Sequence, residues 1–226
     1  MKRVFLALVF TLCACAPSGK GEASSEGSSA SRLFMSSSDK GVPQWALVAG
    51  SAALFDRSDL LLMNVPELSL YEDGRKSSEI SADKAEMDTS TKKTKLTGNV
   101  KLFSSGDNIH LATTELFYDP SGKKIYTPGN VVITRDTTVI TGKNFSASSD
   151  MSRAEIRENV VVDEKKEKIH MLTTNLIFDT AAQKIYTEDD VLINTPETVI
   201  RGRGLSADTE LTEIEIKHQE TRVVAE

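Results

Sequence analysis

The sequence has few of the residues on which several common site types depend. Only two of its 226 residues are cysteine, Cys13 and Cys15, so neither an internal disulfide framework nor a Cys-based metal site is expected. Aromatic residues make up 6% of the chain, too few for a stacking platform for bases or sugars. The net charge is -6, which argues against a nucleic-acid binder because such proteins need a basic surface.

Arrangements typical of catalysis are also missing from the sequence. No Ser/His/Asp set, paired carboxylates or Cys/His pair stands out at a convincing spacing, and no Gly-rich phosphate loop is present. His110 and His170 occupy equivalent positions of an internal repeat, but carboxylates at metal-ligand spacing are lacking. The sequence therefore predicts no enzyme, no metal site and no cofactor.

The N-terminus has the pattern of an export signal. Lys2 and Arg3 precede a short apolar stretch, residues 4–12, which is too short to cross a bilayer. The stretch ends at Leu12-Cys13-Ala14-Cys15, which resembles a bacterial lipoprotein signal. We expect residues 1–14 to be a signal peptide and Cys15 to carry the lipid, since two or more acyl chains make a stable anchor. An ordinary secretory signal that happens to contain cysteine is the alternative.

The segment after Cys15 is rich in Ser, Gly and Glu. Such a composition cannot bury a core, so residues 15–41 are predicted to be a flexible tether and residues 42–226 a folded domain. The apolar run over residues 45–55 is interpreted as an extended or interfacial lead-in. The first strand of the domain is expected within residues 60–71.

From Leu60 onward, apolar and polar residues alternate with period two, and turn pairs such as Asp73-Gly74 separate the alternating runs. Thr, Val and Ile are frequent in these runs, which is typical of strands and hairpins. The pattern predicts an all-β domain.

The chain also repeats itself at an offset of 60 residues without a gap. A weaker half-period relates residues 96–100 to residues 127–131. Units of roughly 30 residues predict a stacked β architecture, in which each strand pair closes its core only against its neighbours. About five such units fit the chain. The matching segments are 109–119 with 169–179, 124–127 with 184–187, and 139–142 with 199–202.

The order of these segments resembles the LptC family of lipopolysaccharide-export proteins, over roughly residues 42 to 224. The resemblance rests on Trp45-x-Leu47-x-Ala49, Leu68-x-Leu70-Tyr71, residues 82–88, residues 96–100, Thr113-x-x-Leu116-x-Tyr118-Asp119 and residues 139–142. It implies a twisted, slightly open β-jellyroll, shared with LptA and the N-terminal domain of LptD, whose apolar lumen carries lipid A acyl chains. One departure is that the family usually has an N-terminal membrane-spanning helix, where this chain has the lipid-anchor signal.

Strand parity predicts which side chains face the interior. From the residues alone a packed core with nothing bound is the simpler interpretation, whereas the resemblance implies a lipid-binding lumen. The predicted inward positions are Val100, Leu102, Leu111, Leu116, Tyr118, Ile125, Val131, Ile133, Val139, Phe145, Met171, Leu176, Phe178, Ile185, Val191, Ile193 and Val199.

The last strand is predicted over residues 213–224 and suits strand addition by a partner. Its docking residues would be Ile214, Ile216, Val223 and Val224. The resemblance implies that the N-terminal edge meets an LptB/LptF/LptG-type ABC transporter and that the C-terminal edge receives an LptA-like bridge. The expected protein is thus a periplasmic, lipid-anchored carrier of lipopolysaccharide, with the inner membrane favoured and the outer membrane left open. A periplasmic scaffold or bridge without transporter docking is the alternative, and a β-helical enzyme acting on polysaccharide is a distant third.

Recurring lysines lie beside the turns that follow Asp88, Asp119 and Asp179. They would either keep the hairpin tips soluble and protect the sheet edges, or form a basic rim that faces lipid phosphates. Both interpretations remain open on the sequence.

Overall fold

The computed structural model describes residues 27–55, 59–106, 108–180 and 182–223. Antiparallel pairing joins all the strands of this part into one 16-stranded sheet. The strands are β1 Gly27–Ala30, β2 Leu33–Asp39, β3 Val42–Phe55, β4 Leu60–Glu72, β5 Arg75–Ser81, β6 Lys84–Asp88, β7 Thr94–Ser104, β8 Ile109–Asp119, β9 Lys124–Arg135, β10 Thr138–Ser148, β11 Arg153–Glu164, β12 Ile169–Thr173, β13 Leu176–Asp179, β14 Lys184–Asn194, β15 Thr198–Asp208 and β16 Ile214–Val223. The prediction of an all-β jellyroll is confirmed.

A crease crosses the long strands near their middles. In β10 the buried side chains change from Ile140 to Phe145, that is, from even to odd numbers, and the register with β9 shifts between Lys143 and Phe145. Asn144 lies inside this bulge with a φ of 54°. A bulge of this kind adds one residue and bends the strand, so both halves can keep their apolar side chains on the inner side.

The crease divides the sheet into two layers. Strand β4 pairs with β5 beyond the crease and with β6 before it, and β11 pairs with β12 and β13 in the same manner. We call the layer that contains β5 and β12 the β5 layer, and the layer that contains β6 and β13 the β6 layer. The inner faces of both layers contribute to one continuous hydrophobic core.

The domain begins earlier than the sequence predicts. Strands β1 and β2 lie inside the segment predicted to be a flexible tether, and both pair with β3. Leu33 and Met35 pack against the core from β2, because alternation alone is enough to place a side chain there even where most neighbours are serine. The remainder of the predicted tether, up to residue 26, lies outside the described residues.

The predicted first strand, within residues 60–71, is β4 and has neighbours on both sides. The apolar run over residues 45–55 forms most of β3, with Trp45 and Leu47 buried, so it is part of the sheet and not a lead-in. Among the described strands, the N-terminal edge is therefore formed by β1 and β2, which pair only with β3. At the other end β16 pairs only with β15.

The close packing at the crease predicts that a larger residue at Gly142 destabilises the fold. A Cβ atom at Gly142 would lie 2.5 Å from Ile156 Cγ2 and 3.0 Å from the carbonyl oxygen of Glu158. We expect Gly142→Ala to lower the free energy of unfolding by about 1–3 kcal/mol, the usual cost of overpacking, as measured by urea denaturation followed by circular dichroism. Gly106→Ala is the matched control, since a Cβ there meets nothing within 4 Å. Equal midpoints for the two variants would contradict this account of the crease.

Candidate functional site

The candidate site is the interior between the two layers. Most of the side chains predicted to face inward are buried there, each with an exposed fraction of 9% or less. They belong to the same hydrophobic cluster although they come from seven strands. These residues are Val100, Leu102, Leu111, Leu116, Tyr118, Ile125, Val131, Ile133, Phe145, Met171, Leu176, Phe178, Ile185, Val191 and Ile193.

Two of the predicted inward positions are wrong. Val139 pairs with Thr134 and Val199 pairs with Asn194, so both valines lie on the outer face of the β5 layer. Ile140 is buried in place of Val139, and Ile200 packs against the core in place of Val199. The cause is the crease, because the bulge at Gly142 to Asn144 inverts the parity that Phe145 would otherwise extend back to the start of β10. In β15 the register with β14 shifts in the same way, between Thr187 and Asp190.

The N-terminal third of the core lies outside the predicted inward positions. Residues such as Leu47, Met63, Leu68 and Ile80 are each buried to 2% exposure or less. They lie outside the 60-residue repeat, from which the inward positions were extended. The alternation Leu68-x-Leu70 was a usable signal, since both residues are buried.

Turns also contribute to the core, and strand parity could not reveal this. Met151 and Leu211 lie in the turns after β10 and β15, at repeat-equivalent positions, and are 1% and 2% exposed. Their φ values are 61° and 59°, in a region that bulky residues rarely adopt. The turns accept this strain while placing apolar side chains against the core.

The interior is packed and not hollow. The apolar cavity between the layers measures about 20 Å³ and is lined by Ile133 and Ile140 of the β5 layer and by Met151, Phe178 and Ile185 of the β6 layer and its turns. Ligand pockets usually measure about 300–1,000 Å³. This cavity is too small to hold a ligand of that size.

The contacts between the tips of the two layers are weak. The hydroxyl of Ser78 in the β5 layer donates to the carbonyl oxygen of Ser149 in the β6 layer at 3.4 Å. Lys123 Nζ lies 3.5 Å from Glu72 Oε1, and both side chains are more than a third exposed. An exposed ion pair of this kind contributes about 0–1 kcal/mol, so the apolar side chains of the core, and not these polar contacts, hold the layers together. We call this line of contacts the seam.

The one aromatic hydroxyl among the predicted inward residues carries no charge at neutral pH. Burial, together with the nearby charge of Asp119, raises the pKa of Tyr118 to about 12. Asp119 itself lies outside the core, where the salt bridge to Lys93 at 2.9 Å and the hydroxyl of Ser121 lower its pKa to about 2. The interior face at Tyr118 thus stays uncharged while the turn beside it is ionised.

The two repeat histidines point away from the core. The His110 ring lies 4.7 Å from the Phe103 ring, and His170 Nδ1 lies 2.6 Å from Asp163 Oδ1, with the His170 side chain 45% exposed. In the described part of the chain, no group of three or more His, Cys, Asp or Glu residues could hold a metal ion.

The predicted docking edge is β16. Ile214 and Ile216 pack against the core from this strand, which is paired with β15 from Ile214 to Val223. Val223 lies at the end of β16, whereas Val224 lies outside the described residues, as do the predicted signal peptide and Cys15. Among the residues that are described, no helix is long and apolar enough to cross a membrane.

Comparison with known proteins supports the family that the sequence resembles. The model of the family described as "LptC: Lipopolysaccharide-assembly, LptC-related" matches residues 29–163 and 156–224. The two matches overlap over residues 156–163 and together span residues 29–224. No curated protein matches the chain.

One solved structure that is similar to this chain is LptH from Pseudomonas aeruginosa, the LptA homologous periplasmic component of the lipopolysaccharide transport device. The two sequences are 12% identical, and the match covers 66% of this chain and 94% of LptH with a TM-score of 0.27. A likeness this loose adds no argument. Because the family model spans far more than half of the sequence, the chain belongs to the LptC-related family of lipopolysaccharide-assembly proteins, and its role lies in lipopolysaccharide transport.

Proposed function

We propose that this protein is a periplasmic, lipid-anchored carrier that accepts lipopolysaccharide from an inner-membrane ABC transporter and passes it to an LptA-like bridge. The observation that carries the proposal is the single apolar core, which runs between two layers from β3 to the turn before β16. The acyl chains of lipid A would lie between the layers, in contact with the inward residues of the core.

The packed interior suits a carrier energetically. An acyl chain of about 12 methylene groups gains roughly 10 kcal/mol on leaving water, and a site that kept all of this free energy would not release its cargo. In this fold the acyl chain must first replace contacts between the two layers, such as those around Ile133 and Phe178. The loss of these contacts offsets part of the gain, so binding stays reversible and neighbouring carriers can exchange the lipid.

The two ends of the sheet are suited to partners. Strand β16 has one edge without a partner strand in the described residues, and the alternating residues Ile214 and Ile216 extend the core to that edge. A partner strand could add there and continue both the sheet and the apolar surface. At the other end β2 carries Phe34, which is 68% exposed, and we assign this end to the transporter. Cys15 would hold the domain at the membrane.

Photo-crosslinking tests the interior. A photo-reactive residue at Ile133 or Ile193, both buried, should capture lipopolysaccharide in cells after irradiation, detected by immunoblotting. The same residue at His110 or His170 should not, because these positions of the same layer face outward. Equal capture at both sets of positions would rule out an interior cargo site.

Removal of β16 tests the docking edge. Deletion of residues 212–226 should abolish capture of the bridge protein in pull-downs and preserve capture of the transporter, since only the C-terminal edge is lost. Circular dichroism checks the fold of this variant. A second variant that ends after Ile216 keeps both isoleucines that pack against the core, in case the larger deletion unfolds the domain. Full bridge capture by a folded variant would refute the assignment.

Substitution of the lipid-bearing cysteine tests the anchor. Cys15→Ser should leave an uncleaved precursor or release a soluble periplasmic form, because a serine cannot receive the thioether-linked lipid. Fractionation of cells followed by immunoblotting measures this, and Cys13→Ser is the matched control, which should be processed normally. Normal processing and membrane retention of the Cys15→Ser variant would contradict the proposal.

A further inference from the structure

A row of alternating charges runs along the outer face of the β6 layer, next to its turns, and it is broken at one position. Each strand contributes one residue, which is the register partner or hydrogen-bond partner of the residue from the next strand. Most of these neighbouring pairs carry opposite charges. The exception is Ser148, which has a cation on either side. In strand order the row is Asp119, Lys124, Ser148, Arg153, Asp179 and Lys184.

Ser148 lies between the basic residues Lys124 and Arg153. Lys124 is its register partner on β9, and the backbone N–H of Arg153 donates to Ser148 Oγ at 3.1 Å. In antiparallel sheets such neighbours lie about 4.5–5.5 Å apart at Cβ, so a carboxylate at this position would complete the alternation. The sequence places a neutral hydroxyl there instead.

A groove opens at this break in the row. It measures about 240 Å³, and its charged and hydroxyl-bearing lining consists of Lys123, Lys124, Ser146, Ser148, Arg153 and Glu155. Three cations thus face one carboxylate. The carboxylate is already engaged, since Glu155 accepts from Arg157 Nε at 3.0 Å and from Arg157 Nη2 at 2.7 Å.

The cations are less completely engaged. Among the side chains that the structure describes, no carboxylate forms an ion pair with Lys124. Lys123 lies 3.5 Å from Glu72, and Arg153 lies 3.7 Å from Asp179, with both basic side chains more than half exposed. Pairs that are long and exposed can be exchanged for a stronger anion at little cost.

The internal repeat supplies a natural comparison. A second groove, of about 550 Å³, is lined by the positions 60 residues further on. There Asp208 stands at the position of Ser148, Glu213 at that of Arg153, and Gln183 at that of Lys123. The two copies of the groove have the same strands and turns but opposite charge, so the basic character of the first groove is not required by the fold.

The basic groove adjoins the seam. Ser149, the residue after Ser148, donates its N–H to the carbonyl oxygen of Lys123 at 2.9 Å, and its own carbonyl accepts from Ser78 of the opposite layer. A lipid whose acyl chains pass between the layers at this point would leave its headgroup beside the groove. Arginine and lysine with nearby hydroxyl donors are suited to phosphate oxygens.

We propose that the groove formed by Lys123, Lys124, Ser148 and Arg153 binds a phosphate group on the headgroup of the transported lipid. This inference rests on the proposed carrier function. The groove fixes the headgroup at the seam, and the interior takes the acyl chains.

The test uses Ser148→Asp, which places in the basic groove the aspartate that the second groove has at the equivalent position, Asp208. Binding of phosphorylated lipid A to the full chain in detergent, measured by isothermal titration calorimetry, should weaken at least tenfold. Dephosphorylated lipid A should bind wild type and variant alike. The matched control is Asp208→Ser in the second groove, which should bind phosphorylated lipid A as tightly as the wild type does. Because Asp208 is accommodated at the equivalent position, we expect the variant to fold, and its circular dichroism spectrum checks this.

Three outcomes would overturn the proposal. They are unchanged affinity of Ser148→Asp, equal affinity of the wild type for phosphorylated and dephosphorylated lipid A, and binding of inorganic phosphate as tight as that of phosphorylated lipid A, which would make the groove a site for free anions. The carrier function is tested separately, by photo-crosslinking at Ile133 and Ile193. Loss of that capture would refute the carrier, whereas retained capture without phosphate dependence would refute only the groove.

Discussion

The bend in the middle of each long strand is the constraint on which the rest of this structure depends. A flat antiparallel sheet of this width would expose one apolar face to water, and there is no helix in the described residues to cover it. The bulges fold the sheet along a crease, so that its own two halves cover each other. Residues with left-handed backbone, such as Asn144 and Asn159, and the close approach at Gly142 are local requirements of that crease.

The same constraint determines how the two layers are joined to each other. The layers are joined covalently and by sheet hydrogen bonds along the crease, whereas at the seam they meet through weak contacts such as that between Ser78 and Ser149. The backbone therefore joins the two layers on one side of the roll, whereas side-chain contacts join them on the other. The two layers bury their apolar inner faces against each other, which keeps those faces out of water.

The two copies of the 60-residue repeat share interior residues but differ on their outer surfaces. Interior positions such as Ile133 and Ile193 are the same residue in both copies, because each copy must fill the same space between layers. Outer positions are free of that demand. The exchange of Ser148 for Asp208 between copies changes the charge of a groove without disturbing the strands that form it.

The sequence by itself determined the all-β class, the repeat and most of the core, because alternation along a strand is a local property that the residues record directly. It also contained the family resemblance. It did not determine where parity inverts, so Val139 and Val199 were assigned to the wrong face, and it hid β1 and β2 within a Ser-rich segment. Only the tertiary structure decided that the interior is tightly packed and that Lys124, Ser148 and Arg153 form one groove. These features depend on register between strands and on contact between layers, which join residues far apart in the chain and leave no periodic signal in it.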